Sequence, residues 1–192
     1  MHQLAQLIII VAPSGTGKSS LIKKLCSALT QLHWSVSVTT RKPRIGEVDG
    51  KDYSFISEEQ FLKDIAANKF VEWAKVHGNY YGTSRDFVED GIRNKKTLLF
   101  DLDVQGADAV VHDYKKYVKT IFIAPPSLET LEERLRKRGS ETEENIKIRL
   151  SNAAHELNRK NDYDYLILND SFDHAYNDLH SIISGLLARG TK

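Results

Sequence analysis

The chain of 192 residues has a single cysteine, Cys26. An intrachain disulfide is therefore excluded, a thiolate zinc site would lack its second sulfur, and a reducing cytoplasm is the simplest home. An excess of one charge is also missing, since Lys and Arg total 27 against 26 for Asp and Glu, a formal net charge of +1. That balance points to neither a nucleic acid nor a membrane partner, and any basic site must be local. The apolar stretch near the N-terminus, residues 7–12, is too short to span a bilayer, lacks a basic segment before it, and runs straight into a glycine loop. It reads as a buried strand. Internal repeats and low-complexity tracts are absent, and the 7 histidines show no metal-ligand spacing. The oligomeric state is left open.

What is present is ordinary in amount and informative in order. Hydrophobic residues make up 41% and charged residues 28%, enough for one compact unit with a core and one inserted subdomain. The apolar or nearly apolar runs 7–11, 97–102, 120–124 and 165–168 read as strands covered on both faces, as in a parallel sheet. Helical patterns separate them, which predicts a doubly wound α/β core. Leu21, Ile22, Leu25, Ala28 and Leu29 form the stripe of the first helix. Ser57 with Gln60, and Ser140 with Glu143, are spaced as capping boxes for helices reaching about Ala67 and the Leu157 region. A final amphipathic helix is expected over 173–187, and Trp34 and Trp73 are expected to be packing residues.

Residues 35–83 break the alternation of strand and helix. Val36 and Val38 alternate with polar residues, and aromatic residues punctuate short strand-like runs, so this region reads as a small, mostly antiparallel insertion. Residues 127–161 are highly charged and helical, with too little apolar periodicity for core, and read as a lid. The expected division is a core of 1–34, 84–126 and 162–192, an insertion of 35–83 and a lid of 127–161.

Ala12, Pro13, Ser14, Gly15, Thr16, Gly17, Lys18 and Ser19 follow a buried strand and open a helix, with Ser20 next, which is the context a P-loop requires. The glycines let the backbone turn its N–H groups inward, the helix N-terminus adds partial positive charge, and Lys18 supplies an ammonium for the β and γ phosphates of ATP. Ser19 can place its hydroxyl on Mg2+. Ala12 stands where the pattern usually has glycine. Its methyl is harmless at negative φ and strained at positive φ. Asp101 ends the 97–101 run, where a carboxylate can hold the waters of a phosphate-bound Mg2+, and Asp103 would face the same side if the strand continued. Two solvated loop aspartates are the plainer alternative.

A P-loop leaves the second substrate open, and the insertion must supply it. Around Ser37, the proline-stiffened segment with Arg41 and Arg44 offers two guanidiniums that could fork onto phosphate oxygens, and Tyr53 and Tyr81 could add hydroxyls. Segments 37–47, 49–53, 72–73, 78–83, 101–106 and 124–127, together with the P-loop and Asn169-Asp170, resemble the motifs of guanylate kinases in that family's order and cover nearly the whole chain. The resemblance implies a P-loop NTPase-type parallel core with helices on both faces, a mixed α/β nucleoside-monophosphate-binding insertion and a helical lid. It implies in-line transfer of the γ-phosphoryl group of ATP to GMP, and also to dGMP, with Mg2+. Arg41, Arg44, Tyr53 and Tyr81 would then hold the GMP phosphate, and Ser37, Glu72, Thr83 and Asp103 the guanine. Arg134 and Arg138 would approach ATP, Arg149 the transferring group, and Asn169 the adenine. Lys18, Arg41, Arg138 and Arg149 would neutralise charge in the transfer, and Ser19 and Asp101, the latter through water, would serve Mg2+.

Guanine offers adjacent N1–H and N2–H2 donors beside an O6 acceptor, and carboxylates with a hydroxyl complement that edge. Adenine in such a pocket would leave carboxylates without donors. Two rivals stand beside this reading. One is a guanylate-kinase-like protein-interaction module without catalysis; the other is a P-loop kinase for a different phosphorylated acceptor, which would have no reason to keep the carboxylates.

Overall fold

A computed structural model describes residues 6–76, 78–137 and 142–190. From the N-terminus, β1 (Gln6–Val11) leads through the glycine loop to α1 (Lys18–Ala28) and then to β2 (Leu32–Trp34). A second region follows with β3 (Val38–Thr39), β4 (Ser54–Phe55), α2 (Glu58–Ala66), β5 (Phe70–Val76) and β6 (Asn79–Ser84). The chain returns through α3 (Arg85–Arg93), β7 (Thr97–Asp101), α4 (Val104–Tyr114) and β8 (Val118–Ala124). Two charged helices, α5 (Leu128–Lys137) and α6 (Glu143–Asn158), precede β9 (Tyr165–Leu168) and α7 (Phe172–Gly190).

The first sheet runs β2-β7-β1-β8-β9 and is parallel throughout. β1 lies at its centre because both of its faces are apolar. Ile8 and Ile10 pack with Leu21 and Leu25 of α1 and Leu179 and Ile183 of α7. Leu7, Ile9 and Val11 face the other way, onto Val88 of α3, Phe100 of β7 and Val110 of α4. The period of two thus serves two separate apolar layers. β2 adds a fifth strand beyond those read from apolar runs; at 3 residues, with His33 exposed, it is too short and too polar to show as one.

The second sheet, β4-β3-β6-β5, pairs β3 with β4 in parallel and the remaining strands antiparallel. Ser57 caps α2 by accepting from Gln60 N–H at 3.1 Å, while the Gln60 amide turns instead to Asp64, so the reciprocal half of the box is unused. Phe61 of α2 is fully buried and stacks on Phe70 at 4.4 Å and Tyr80 at 5.3 Å, which fastens the helix to this sheet. Trp73, expected to pack, is 49% exposed on the outer face.

The charged helices correct two expectations. Ser140 lies outside the described residues, and α6 is capped by Thr142, which accepts from Asn145 N–H at 3.3 Å. Nor do these helices lack a core: Leu131, Leu135, Ile146 and Ala153 are buried against one another. Each helix contributes only two buried residues, a stripe too thin to register singly, and the pair becomes apolar only when the helices meet.

Candidate active site

Sterics decide the glycine loop. Gly15 (φ +95) and Gly17 (φ +98) lie in the left-handed region, where a side chain would be strained. Outside glycine, only Asn68 and Lys95 among the described residues have positive φ, so Ala12 keeps a negative φ and its methyl strains nothing. A Cβ at Gly15 would stand 2.8 Å from Leu135 Cδ2 and 3.1 Å from Leu131 Cδ1, so the inner face of α5 rests directly on the loop. Lys18 is the first residue of α1. Its ammonium meets Asp101 Oδ1 at 2.5 Å and donates to the Leu102 carbonyl at 2.8 Å, at the carboxyl end of β7.

A cleft of about 930 Å³ opens from this loop toward the second sheet. Ser14, Lys18, Ser19 and Asp101 line one end, and Ser37, Tyr53, Glu72 and Tyr81 the other, with Asp103 between. Asp101 ends its strand as expected, but the strand does not continue to Asp103. Asp103 instead N-caps α4, accepting from Gly106 N–H at 2.8 Å.

Glu72 owes its orientation to a β-bulge. The pairing of β5 with β6 shifts between Phe70 and Glu72, so Phe70 and Trp73 share the α2 side while Glu72, Ala74 and Val76 face the cleft. Without that extra residue, Glu72 would lie on Phe70's side. Opposite it, Thr83 is fully buried and donates its hydroxyl to Glu72 Oε1 at 2.5 Å. Thr83 therefore braces the carboxylate from behind instead of lining the cleft. Burial pushes the Glu72 carboxyl up to about 7, with a further rise from Asp103 and an opposing pull from the Thr83 hydroxyl. A Cβ at Gly106 would come within 3.0 Å of Glu72 Oε2 and 3.3 Å of Asp103 Oδ1. The bare backbone of α4 lets the two acids stand side by side.

Glu47, which the sequence reading passed over, organises the basic loop. It accepts from Arg41 Nη2 at 2.8 Å and from Arg44 N–H at 2.7 Å, and the Arg41 bond holds its carboxyl below the usual range. Arg41 lies 5.1 Å over the Tyr53 ring, and the Tyr53 and Tyr81 rings meet edge to face at 6.1 Å. The Arg44 residue is exposed.

Arg149 of α6 reaches across to Ser14 Oγ at 2.6 Å. Arg134 of α5 donates to the carbonyls of Asn169 at 3.0 Å and Thr16 at 3.4 Å. The Asn169 amide also donates to Thr16 O at 2.6 Å, so it ties β9 to the glycine loop. A groove of about 350 Å³ lies there, bounded by Gly15, Gly17, Arg134, Asn169 and two residues the sequence reading did not single out, Lys137 and Phe172. Arg138 lies outside the described residues. Trp34, expected as packing, is half-buried against the core and also lines the main cleft, and Cys26 is half-buried against the same core.

For a metal, the described residues hold no cluster of 3 or more His, Cys, Asp or Glu. The Ser19 hydroxyl and the Asp101 carboxylate are hard oxygen donors beside a phosphate cradle, which suits a cation that brings most of its own ligands. No helix among the described residues is long and apolar enough to cross a membrane.

Comparison with known proteins gives a consistent result. The guanylate kinase family model matches residues 4–186. The guanylate kinase of Rickettsia typhi is 46% identical over 177 residues, covering 92% of this chain and 89% of that protein. That of Thermotoga maritima is 46% identical over 189 residues, covering 97% and 90%. The crystal structure of guanylate kinase from Anaplasma phagocytophilum superposes with a TM-score of 0.77 at 32% identity, covering all of this chain and 89% of the other. A parallel core ending in a phosphate loop, an acidic pocket on a bulged strand and this match along the whole length have one explanation: the chain belongs to the guanylate kinase family.

Proposed function

We propose that this ATP:GMP phosphotransferase works by direct in-line transfer in the cleft between the two sheets, the acceptor held by the second sheet and the donor by the glycine loop. The observation that carries the reading is the pair of adjacent carboxylates, Glu72 and Asp103, in the same cleft as Lys18 and Arg149. Guanine's N1–H and N2–H2 supply the donors that two neighbouring acids need, and Ser37 offers a hydroxyl to O6. Arg41, Arg44, Tyr53 and Tyr81 take the acceptor phosphate, with Glu47 tying the Arg41 guanidinium to the main chain at Arg44.

The chemistry requires no general base and no covalent enzyme intermediate. An oxygen of the GMP phosphate attacks the γ-phosphorus of ATP, the bond from that phosphorus to the β,γ-bridging oxygen breaks, and ADP leaves with the electron pair. Lys18, Arg41, Arg138 and Arg149 neutralise the oxygens while the chain holds both substrates in line. In the free protein Lys18 is held by Asp101 and Leu102, which keeps the ammonium near its working position. Ser19 and Asp101, through water, would hold Mg2+, which supplies charge neutralisation and orientation of the donor phosphates. Arg134, Asn169 and the Gly15–Gly17 backbone flank the donor base. The same site takes dGMP, since the base and phosphate contacts do not involve the sugar.

Insertion and lid are read as moving parts, 35–83 drawn in by the acceptor and 127–161 by ATP, because closure keeps water out of line with the γ-phosphorus. A coupled assay with ATP and Mg2+ across GMP, dGMP, AMP, CMP and UMP tests the whole reading. Turnover should be confined to the guanine nucleotides, and equal rates with AMP would overturn the role of the acidic pair.

A further inference from the structure

Helix α6 walls one side of the cleft with Arg149, Asn152, Glu156 and, just past its end, Arg159, spaced so that all four share one face. Both ends of this row are fastened. Arg149 bonds Ser14 of the glycine loop at 2.6 Å, and Arg159 grips Asp108 of α4 through both guanidinium nitrogens at 2.7 and 2.9 Å. Glu156 stands between them, about 10 Å along the axis from Arg149. Among the described residues, no hydrogen-bond donor meets its carboxylate. The charges that face it are Lys18, which attracts it, and Asp103, which repels it. Burial, the larger cause, pushes the carboxyl up to about 7.

A half-buried acid opposite another acid, with no donor of its own, fits a place where a ligand brings hydroxyl or amine hydrogens. Taking the cleft as the GMP site, on which this inference rests, guanine's own donors are already matched by Glu72 and Asp103, and the phosphate by Arg41, Arg44, Tyr53 and Tyr81. Between base and phosphate lies the sugar. The only hydrogens it can donate are those of its hydroxyls, and Glu156 lines this cleft where the charges it meets are Asp103, beside the base, and Lys18, toward the transferring phosphoryl group. We propose that Glu156 reads the acceptor's sugar, accepting a hydrogen bond from the 2′-hydroxyl edge of the ribose when the lid helix approaches. It is then a specificity-determining residue, favouring ribonucleotide over deoxyribonucleotide.

The test compares kcat/KM, and Kd by calorimetry, for GMP and dGMP in the wild-type enzyme, Glu156→Ala and Glu156→Gln. Wild-type enzyme should prefer GMP by about tenfold, the size expected for one hydrogen bond to a charged group. Glu156→Ala should bring the two substrates within about twofold of each other. Glu156→Gln, whose amide oxygen still accepts, should keep most of the preference. A GMP to dGMP ratio that is unchanged in Glu156→Ala overturns the proposal, and parallel loss of both substrates would show that Glu156 acts through Lys18 instead. Wild-type enzyme that turns over neither nucleotide would instead sink the reading of the cleft itself.

Discussion

The Thr83 hydroxyl donates to Glu72 Oε1 at 2.5 Å across the β5–β6 pair, and Thr83 has no exposed surface. A fully buried hydroxyl thus aims a carboxylate that lines the cleft. Thr83→Val keeps the shape and removes the donor, leaving a buried carboxylate short of a charged hydrogen bond worth about 1.5–3 kcal/mol. The KM for GMP should rise roughly tenfold while the KM for ATP stays within about twofold. Equal effects on both substrates would mean that Thr83 supports the fold and not the acceptor pocket.

With Glu72 as the proposed base contact, acceptor binding should depend on pH. The Glu72 carboxyl in the folded protein sits near 7, above the ordinary 4.5, so between those values the folded chain holds a proton that the unfolded chain has lost. Stability contributed by this group is present at low pH and falls as pH rises through about 7. Guanine needs the ionised form as acceptor, so GMP binding near pH 6.5 should release protons. Calorimetry in two buffers of different ionisation enthalpy measures this directly. Glu72→Gln should reduce the release, and an unchanged proton count would assign it elsewhere.

Gly15 combines φ of +95 with a Cβ position 2.8 Å from Leu135 Cδ2. Gly15→Ala should cost about 1–3 kcal/mol of stability in denaturant unfolding, part from the backbone and part from displacing α5. Gly46, at φ +87 with open space around it, isolates the backbone part. Gly46→Ala should therefore cost less and leave the KM for ATP unchanged, whereas Gly15→Ala should raise that KM several-fold. Identical behaviour of the two variants would separate the α5 contact from ATP binding.

Lys18 donates to the Leu102 carbonyl and pairs with Asp101, both contacts lying at the carboxyl end of β7 and at the mouth of the cleft. Lys18→Met should lower kcat by at least about 10²-fold, with far-ultraviolet circular dichroism unchanged. Near-normal GDP formation would remove Lys18 from the transfer.

The sequence was most legible where the signal is local. The strand, glycine loop and helix of residues 6–28 follow one another without a gap, and their apolar spacing matches the two layers that β1 contacts. Less could be read from α5 and α6, because Leu131, Leu135, Ile146 and Ala153 form a core only as a set drawn from two helices. Asp103 shows a different limit. Its spacing from Asp101 suited a continuing strand, but the chain turns into α4 there and converts the residue into a cap.

By itself the sequence determined the alternation of strand and helix in the core and the phosphate loop, each written in neighbours a few positions apart, and its motifs carried the resemblance to guanylate kinases. Tertiary structure decided which way those residues point. A single bulge opposite β6 sends Glu72 to the cleft, a buried threonine fixes its oxygen, and packing of α6 along the cleft brings Glu156 to face Lys18 and Asp103. Such choices depend on pairing between segments far apart in the chain, and a periodic pattern within one segment carries no record of them.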